Sequence, residues 1–114
     1  MADRLLPVLV AVGGFFGATA RHLLGTVVAG PEGTLLANVC GSFVLALVVG
    51  VVRSTRLRVF LMTGLLSSFT TYSTFAVETA ALDPGLAVAN VLANYVLAFF
   101  AVIAGRAVTR GALL

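Results

Sequence analysis

Twelve residues near the middle of the chain, Gly64–Phe75 (GLLSSFTTYSTF), constrain its fold most. They lie inside an apolar segment that starts near Val59 and ends near Leu82. Six of the twelve are Ser or Thr and three are aromatic. A membrane-spanning helix holds one or two hydroxyls at little cost, because each bonds back to a carbonyl one turn earlier. A run this dense offers the backbone other partners and predicts a helix broken at bilayer depth. Irregular backbone is tolerated there only where protein buries it or where it lines a polar cavity. Two readings fit: a permeation or ion site, and a polar contact between helices, where Ser and Thr are common.

Composition puts this run in a membrane. Of 114 residues, 61% are hydrophobic and 10% are charged. A soluble domain is about half apolar and about one-quarter charged. The pattern predicts one all-α transmembrane domain over residues 1–114. It has four spans, at about residues 5–29, 34–52, 59–82 and 84–107, each near the ~20 residues needed to cross the hydrocarbon. Arg4, Leu5–Phe16 and Ala18-Thr19-Ala20 together resemble a signal peptide with a cleavage site. The apolar run does not stop where a signal would, and its glycines suit a packed helix better. Four helices make only a thin bundle, so a dimer or larger assembly is expected.

In the first span Gly13, Gly17 and Arg21 share a face at i, i+4, i+8, and small residues so spaced let another backbone approach. Arg21 is either snorkelling to the interface or a positive charge at the mouth of an anion path. In the second span Thr34, Asn38, Gly41, Ser42 and Leu45 form one stripe. An amide in hydrocarbon needs a partner, and Asn38 has two hydrogens to donate, to an anion or to a neighbouring helix. Phe69, Tyr72 and Phe75 recur at i, i+3, i+6; such stripes usually pack, but ring edges carry partial positive charge. Glu78 falls near the end of the third span and reads as interfacial. In the fourth span Asn90 and Asn94 share a face.

Charge sets orientation. All seven basic residues are Arg, and they sit at segment ends, which points to lipid headgroups and not to nucleic acid. With four spans, Arg4, Arg53, Arg56, Arg58, Arg106 and Arg110 fall on one side, while the opposite loops carry Glu32 and Asp83. Both termini are therefore expected in the cytoplasm and the spans in the cell membrane.

The residues resemble the Fluc family of small fluoride channels, also called the CrcB family, over nearly the whole chain. Gly13–Arg21 (GGFFGATAR) looks like its Gly-rich first helix, and Gly33–Ser42 (GTLLANVCGS) is similar to its second-helix GTLxxNxxGS pattern. Gly64–Phe75 resembles the diagnostic third-helix pattern, a Gly pair, a hydrophobic residue and TTFSTF. The resemblance implies an antiparallel dimer with two fluoride paths. It implies Asn38 as the pore asparagine, Tyr72 and Phe75 at the pore phenylalanine positions, and Ser73 and Thr74 beside them at the helix break. Arg21 becomes the vestibule arginine. Backbone carbonyls of Ser67 and Thr70 become ligands of a central structural Na⁺ that is not transported.

The chain departs from the family pattern in three ways. Ser67-Ser68 replaces the Gly pair, Tyr72 replaces a phenylalanine, and the fourth span has no Ser or Thr through its core. The one-sided Arg distribution adds a further expectation: insertion in one direction, and pairing with a related subunit of opposite orientation. Two other functions compete. A small four-helix multidrug exporter needs a membrane-embedded carboxylate, and the first span has none. A non-transporting assembly protein would use the polar groups for packing alone. No nucleophile–base pair or metal-ligand cluster suggests an enzyme.

Overall fold

The computed structural model describes residues 2–113, and all regular structure among them is helical. Helix α1 (Leu6–Val27) has Pro7 in its first turn, where a missing N–H costs nothing. It ends where Val28 turns extended. The chain then reverses through Gly30, whose φ of 77° is a left-handed conformation that glycine adopts without strain. Pro31 opens α2 (Pro31–Val51) with its ring already at a helical φ.

Helix α3 covers residues 55–69. The Ser54 hydroxyl caps it by accepting the Leu57 N–H at 3.3 Å. It is α-helical over Thr55–Arg58, widens to a π-helix over Val59–Leu66, and tightens again over Ser67–Phe69. In the widened stretch the N–H of Ser67 reaches the carbonyl of Met62, five residues back. Thr70–Tyr72 are not helical. Helical geometry resumes in α4 (Ser73–Ala81), and α5 (Pro84–Leu113) completes the chain. Among the described residues, three helices are long and apolar enough to cross a membrane: α1, α2 and α5 through Gly111. Helix α5 runs past residue 107, where the sequence placed its end.

Glycine sets two intimate packings. Gly13 and Gly17 of α1 lie against the π-helical backbone. A Cβ on Gly13 would stand 2.5 Å from the Phe60 carbonyl oxygen, and one on Gly17 would overlap the Leu65 carbonyl. On the facing side of this seam, Gly64 brings its Cα within 3.0 Å of where a Gly13 Cβ would sit. The second packing joins α2 to α5. Gly105 sits under Ala46 and the Phe43 carbonyl, and Gly50 sits under Thr109, which extends α5 to the full length of α2.

The interior is small. Ala37, Ala46, Val48, Leu66 and Phe75 are its buried apolar side chains, joined by buried Thr34, Asn94 and Thr109. Large apolar residues such as Phe15, Phe16, Phe99 and Phe100 face outward. In water such a surface is unstable; in hydrocarbon it costs nothing. The fold is that of a multi-pass membrane protein.

Candidate functional site

The site is built where α3 stops. In a continuous helix the Thr71 N–H would bond to the Ser67 carbonyl, and the Thr71 carbonyl would take the Phe75 N–H. Neither bond forms. Asn38 of α2 takes both of Thr71's backbone groups: its Oδ1 accepts the Thr71 N–H at 2.9 Å, and its Nδ2 donates to the Thr71 carbonyl at 3.1 Å. An unpaired backbone group in hydrocarbon costs several kcal/mol. One amide side chain therefore stabilises the interruption by replacing two main-chain partners.

The second hydrogen of Asn38 Nδ2 goes to Asn94 Oδ1 at 3.1 Å. Asn94 Nδ2 donates in turn to the Asn90 carbonyl at 2.9 Å and to Asn90 Oδ1 at 3.3 Å. Asn90 Nδ2 donates to Thr79 Oγ1 at 2.9 Å, and that hydroxyl donates to the Phe75 carbonyl at 2.7 Å. Every link donates in the same sense, from Asn38 through α5 to the carbonyl of Phe75. Bonds aligned in this way polarise one another.

Two cavities flank the interruption, and Thr70 and Thr71 line both. One, of about 440 Å³, holds Asn38, Ser67, Tyr72, Phe75, Asn94 and Tyr95. The other, of about 620 Å³, is lined by Arg21, His22, Thr26, Ser68, Ser73 and Thr74. Thus the residues singled out in the sequence divide into two groups around one wall. Asn38, Tyr72, Phe75 and Ser67 share the first cavity; Arg21, Ser73 and Thr74 share the second.

The aromatic stripe divides with the backbone. The Phe75 ring is buried and meets Tyr95 edge-on at 6.2 Å and 88°. Tyr72 lies 5.9 Å from Phe75 and is 73% exposed. Arg21 is tethered, because its guanidinium donates to Thr34 Oγ1 at 2.8 Å. Its Nε is buried without a hydrogen-bond partner among the described residues and is left with donor capacity beside the second cavity.

The carbonyls of Ser67 and Thr70 are released from helical bonding. The helical partner of the Ser67 carbonyl is the Thr71 N–H, which Asn38 has captured. That of the Thr70 carbonyl is the Thr74 N–H, which bonds to Thr71 Oγ1 at 3.2 Å. Thr70 itself, at φ −77° and ψ 159°, turns its carbonyl out of the helical direction. Both oxygens are relieved of their helical bonds by particular side chains.

Thr71 is the residue that sequence reasoning missed. It was one Ser or Thr among six, and nothing in the run marks its backbone as the one Asn38 holds. Thr79 was missed as well, and Thr34 was placed on the stripe with Asn38 but not paired with Arg21. The i, i+4 spacing of Asn90 and Asn94 was the available signal for the chain of amides.

Comparison with known proteins shows what the chain is similar to. A family model described as "CrcB-like protein, Camphor Resistance (CrcB)" matches residues 8–106. The chain is 53% identical over 111 residues to a protein of Natronomonas pharaonis named fluoride-specific ion channel FluC 1, covering 90% of this chain and 92% of that one. It is 50% identical over 110 residues to the FluC 1 of Haloarcula marismortui, covering 90% and 84%. Agrobacterium fabrum FluC is 39% identical over 117 residues, covering 90% and 94%. The family match spans most of the chain, and the chain accordingly belongs to the CrcB-like (Camphor Resistance, CrcB) family.

Proposed function

We propose that this chain forms a fluoride-specific ion channel, not an enzyme, through which fluoride leaves the cell passively and cytoplasmic fluoride toxicity falls. The observation that carries the reading is the interruption at Thr70–Tyr72, with a cavity on either face. Fluoride is small and strongly hydrated, so its path must replace water with many donors. Amides, hydroxyls, ring edges and a guanidinium gather here. The relatives named as fluoride-specific channels support the choice of ion.

In this reading Asn38, Tyr72 and Phe75 line one side of the fluoride pathway, and Ser73, Thr74 and Arg21 line the other. The chain is a single domain that crosses four times, the third crossing made by α3 and α4 together. Two subunits pair in antiparallel fashion and cover the outward apolar faces that lipid does not. The freed carbonyls of Ser67 and Thr70 hold a structural Na⁺ at the pairing interface, where a buried cation favours an anion nearby.

Packing supports the orientation. Arg56 bonds Asp3 at 2.7 Å, and Gly50 meets Thr109, so the N-terminus, the 53–58 loop and the end of α5 share one end of the bundle. Six of the seven arginines belong to that end, which we assign to the cytoplasm. One-way insertion then calls for a related partner of opposite orientation.

Purified chain is reconstituted in fluoride-loaded liposomes and efflux is followed with a fluoride electrode, with chloride as control. Release of fluoride and not chloride is the expected result, either alone or after co-expression with an oppositely oriented relative. Release from the chain alone removes the two-subunit reading. No fluoride release in either arrangement removes the channel.

A further inference from the structure

Asn38 is the donor expected to meet fluoride, yet both its amide hydrogens are engaged within the chain. One is held by the Thr71 carbonyl, which is fixed by the interruption itself. The other is held by Asn94 Oδ1 at 3.1 Å, and Asn94 is only 7% exposed. A carbonyl oxygen and an anion seek the same hydrogen, and their like charges repel across it. They cannot both occupy the place in front of it.

Asn94 is not free to withdraw. Turning its oxygen away would also pull its Nδ2 from the carbonyl and Oδ1 of Asn90. Asn90 is anchored in turn on Thr79, and Thr79 on the Phe75 carbonyl. The bonds behind Asn94 thus hold its oxygen in place.

We infer that Asn94 is a positioning residue that competes with fluoride: its side-chain oxygen occupies the Asn38 hydrogen until an anion displaces it, and Asn90 and Thr79 set how strongly it resists. The inference rests on the channel reading and adds to it a built-in control of fluoride affinity. A hydroxyl in place of Asn94 would be too short to span the same gap, so the device belongs to the amide.

The test uses whichever assembly conducts fluoride. The chain contains three asparagines, at 38, 90 and 94, so protein labelled with ¹⁵N-asparagine gives three side-chain amide pairs. Sodium fluoride is titrated in, and the Asn38 pair, assigned with Asn38→Ser, is followed alongside efflux. In Asn94→Ala the fluoride concentration for half-maximal shift and for half-saturating efflux should fall about two- to tenfold, the factor carried by one net hydrogen bond. Asn90→Ala should move both in the same direction by less. Asn94→Ser is the alternative should the alanine variant fail to assemble, with the same expected direction.

A residue with a merely structural role would lower the yield of assembled protein and leave both half-points unchanged. That result, or a rise in either half-point, overturns the inference while the channel reading stands. Absence of fluoride efflux from wild-type protein in every arrangement takes both down.

Discussion

Asn38 holds both backbone groups of Thr71, accepting its N–H at 2.9 Å and donating to its carbonyl at 3.1 Å, across 33 residues of sequence. The same side chain lines the first cavity beside Tyr72 and Phe75. In the proposed channel, stability and permeation therefore meet in one residue. Asn38→Leu leaves two backbone groups of Thr71 unpaired in a part-buried place, each worth about 1–3 kcal/mol. Thermal unfolding in detergent should show that loss, and fluoride efflux should be abolished. Asn38→Asp keeps the acceptor for the Thr71 N–H and loses the donors. Its second oxygen would then face the Thr71 carbonyl and Asn94 Oδ1, two acceptors, so it should also unfold below wild type, and it should pass no fluoride. Equal efflux from both variants and wild type would remove Asn38 from the pathway.

The glycine seam makes a steric prediction. Gly17→Ala forces a Cβ into the Leu65 carbonyl, a backbone atom that cannot swing aside. Overpacking of this kind costs about 1–3 kcal/mol. A methyl group on Gly85 or Gly111 would meet no atom of the described residues within 4 Å, so alanine there should be neutral or slightly stabilising. Melting temperatures of the three variants check the ordering.

Arg21 and Thr34 predict a salt-dependent effect. Arg21→Gln removes the positive charge from the second cavity, so efflux should fall several-fold, and the fall should be larger at low ionic strength. Thr34→Val keeps nearly the same shape, removes the acceptor at 2.8 Å and leaves the charge, so its effect should be smaller and insensitive to salt. Efflux at two ionic strengths separates the variants.

Tyr72 tests whether the ring or its hydroxyl matters. Its hydroxyl makes no hydrogen bond among the described residues, and its ring lies 5.9 Å from Phe75. Tyr72→Phe should leave efflux unchanged, while Tyr72→Ala should lower it. Loss of efflux in the phenylalanine variant would assign the function to the hydroxyl.

The Asp3–Arg56 pair predicts a modest pH response. Arg56's hydrogen bond, then the Leu5 N–H, hold the Asp3 carboxyl below its ordinary range. A depressed carboxylate stabilises the folded state fully above the ordinary carboxylate range, and that contribution disappears as pH falls through the lowered folded value. Asp3→Asn should therefore differ from wild type at neutral pH and converge with it in strong acid. Both groups lie at the surface, so solvent screening keeps the difference small. Hydrogen exchange at the start of α1 and in the 53–58 loop reads it.

The sequence made some of this legible and hid the rest. Hydroxyl density within Gly64–Phe75 marks the stretch where α3 ends, because local side-chain competition for backbone groups is a short-range effect. The partner that makes the interruption tolerable is a tertiary fact, since Asn38 lies on another helix. The π-helical Val59–Leu66 was hidden for a similar reason. Nothing in VFLMTGLL separates it from an α-helix, and its widened backbone lies against Gly13 and Gly17, on a helix much earlier in the chain. Asn90 and Asn94 were readable as neighbours on one face, while the sense of their hydrogen bonds follows from what lies at either end. The wall between the two cavities could be read only from three dimensions, because its lining comes from separated parts of the chain.

The row of bonds from Asn38 to Phe75 has a bearing on bioenergetics. Water wires and chains of carboxylates or imidazoles pass protons, because each member can accept one and release another. Three of the four side chains here are amides, which carry no titratable group near neutral pH. They transmit polarisation and not protons. A cell whose membrane stores energy as a proton gradient could thus keep a polar track in that membrane without short-circuiting its own supply of ATP.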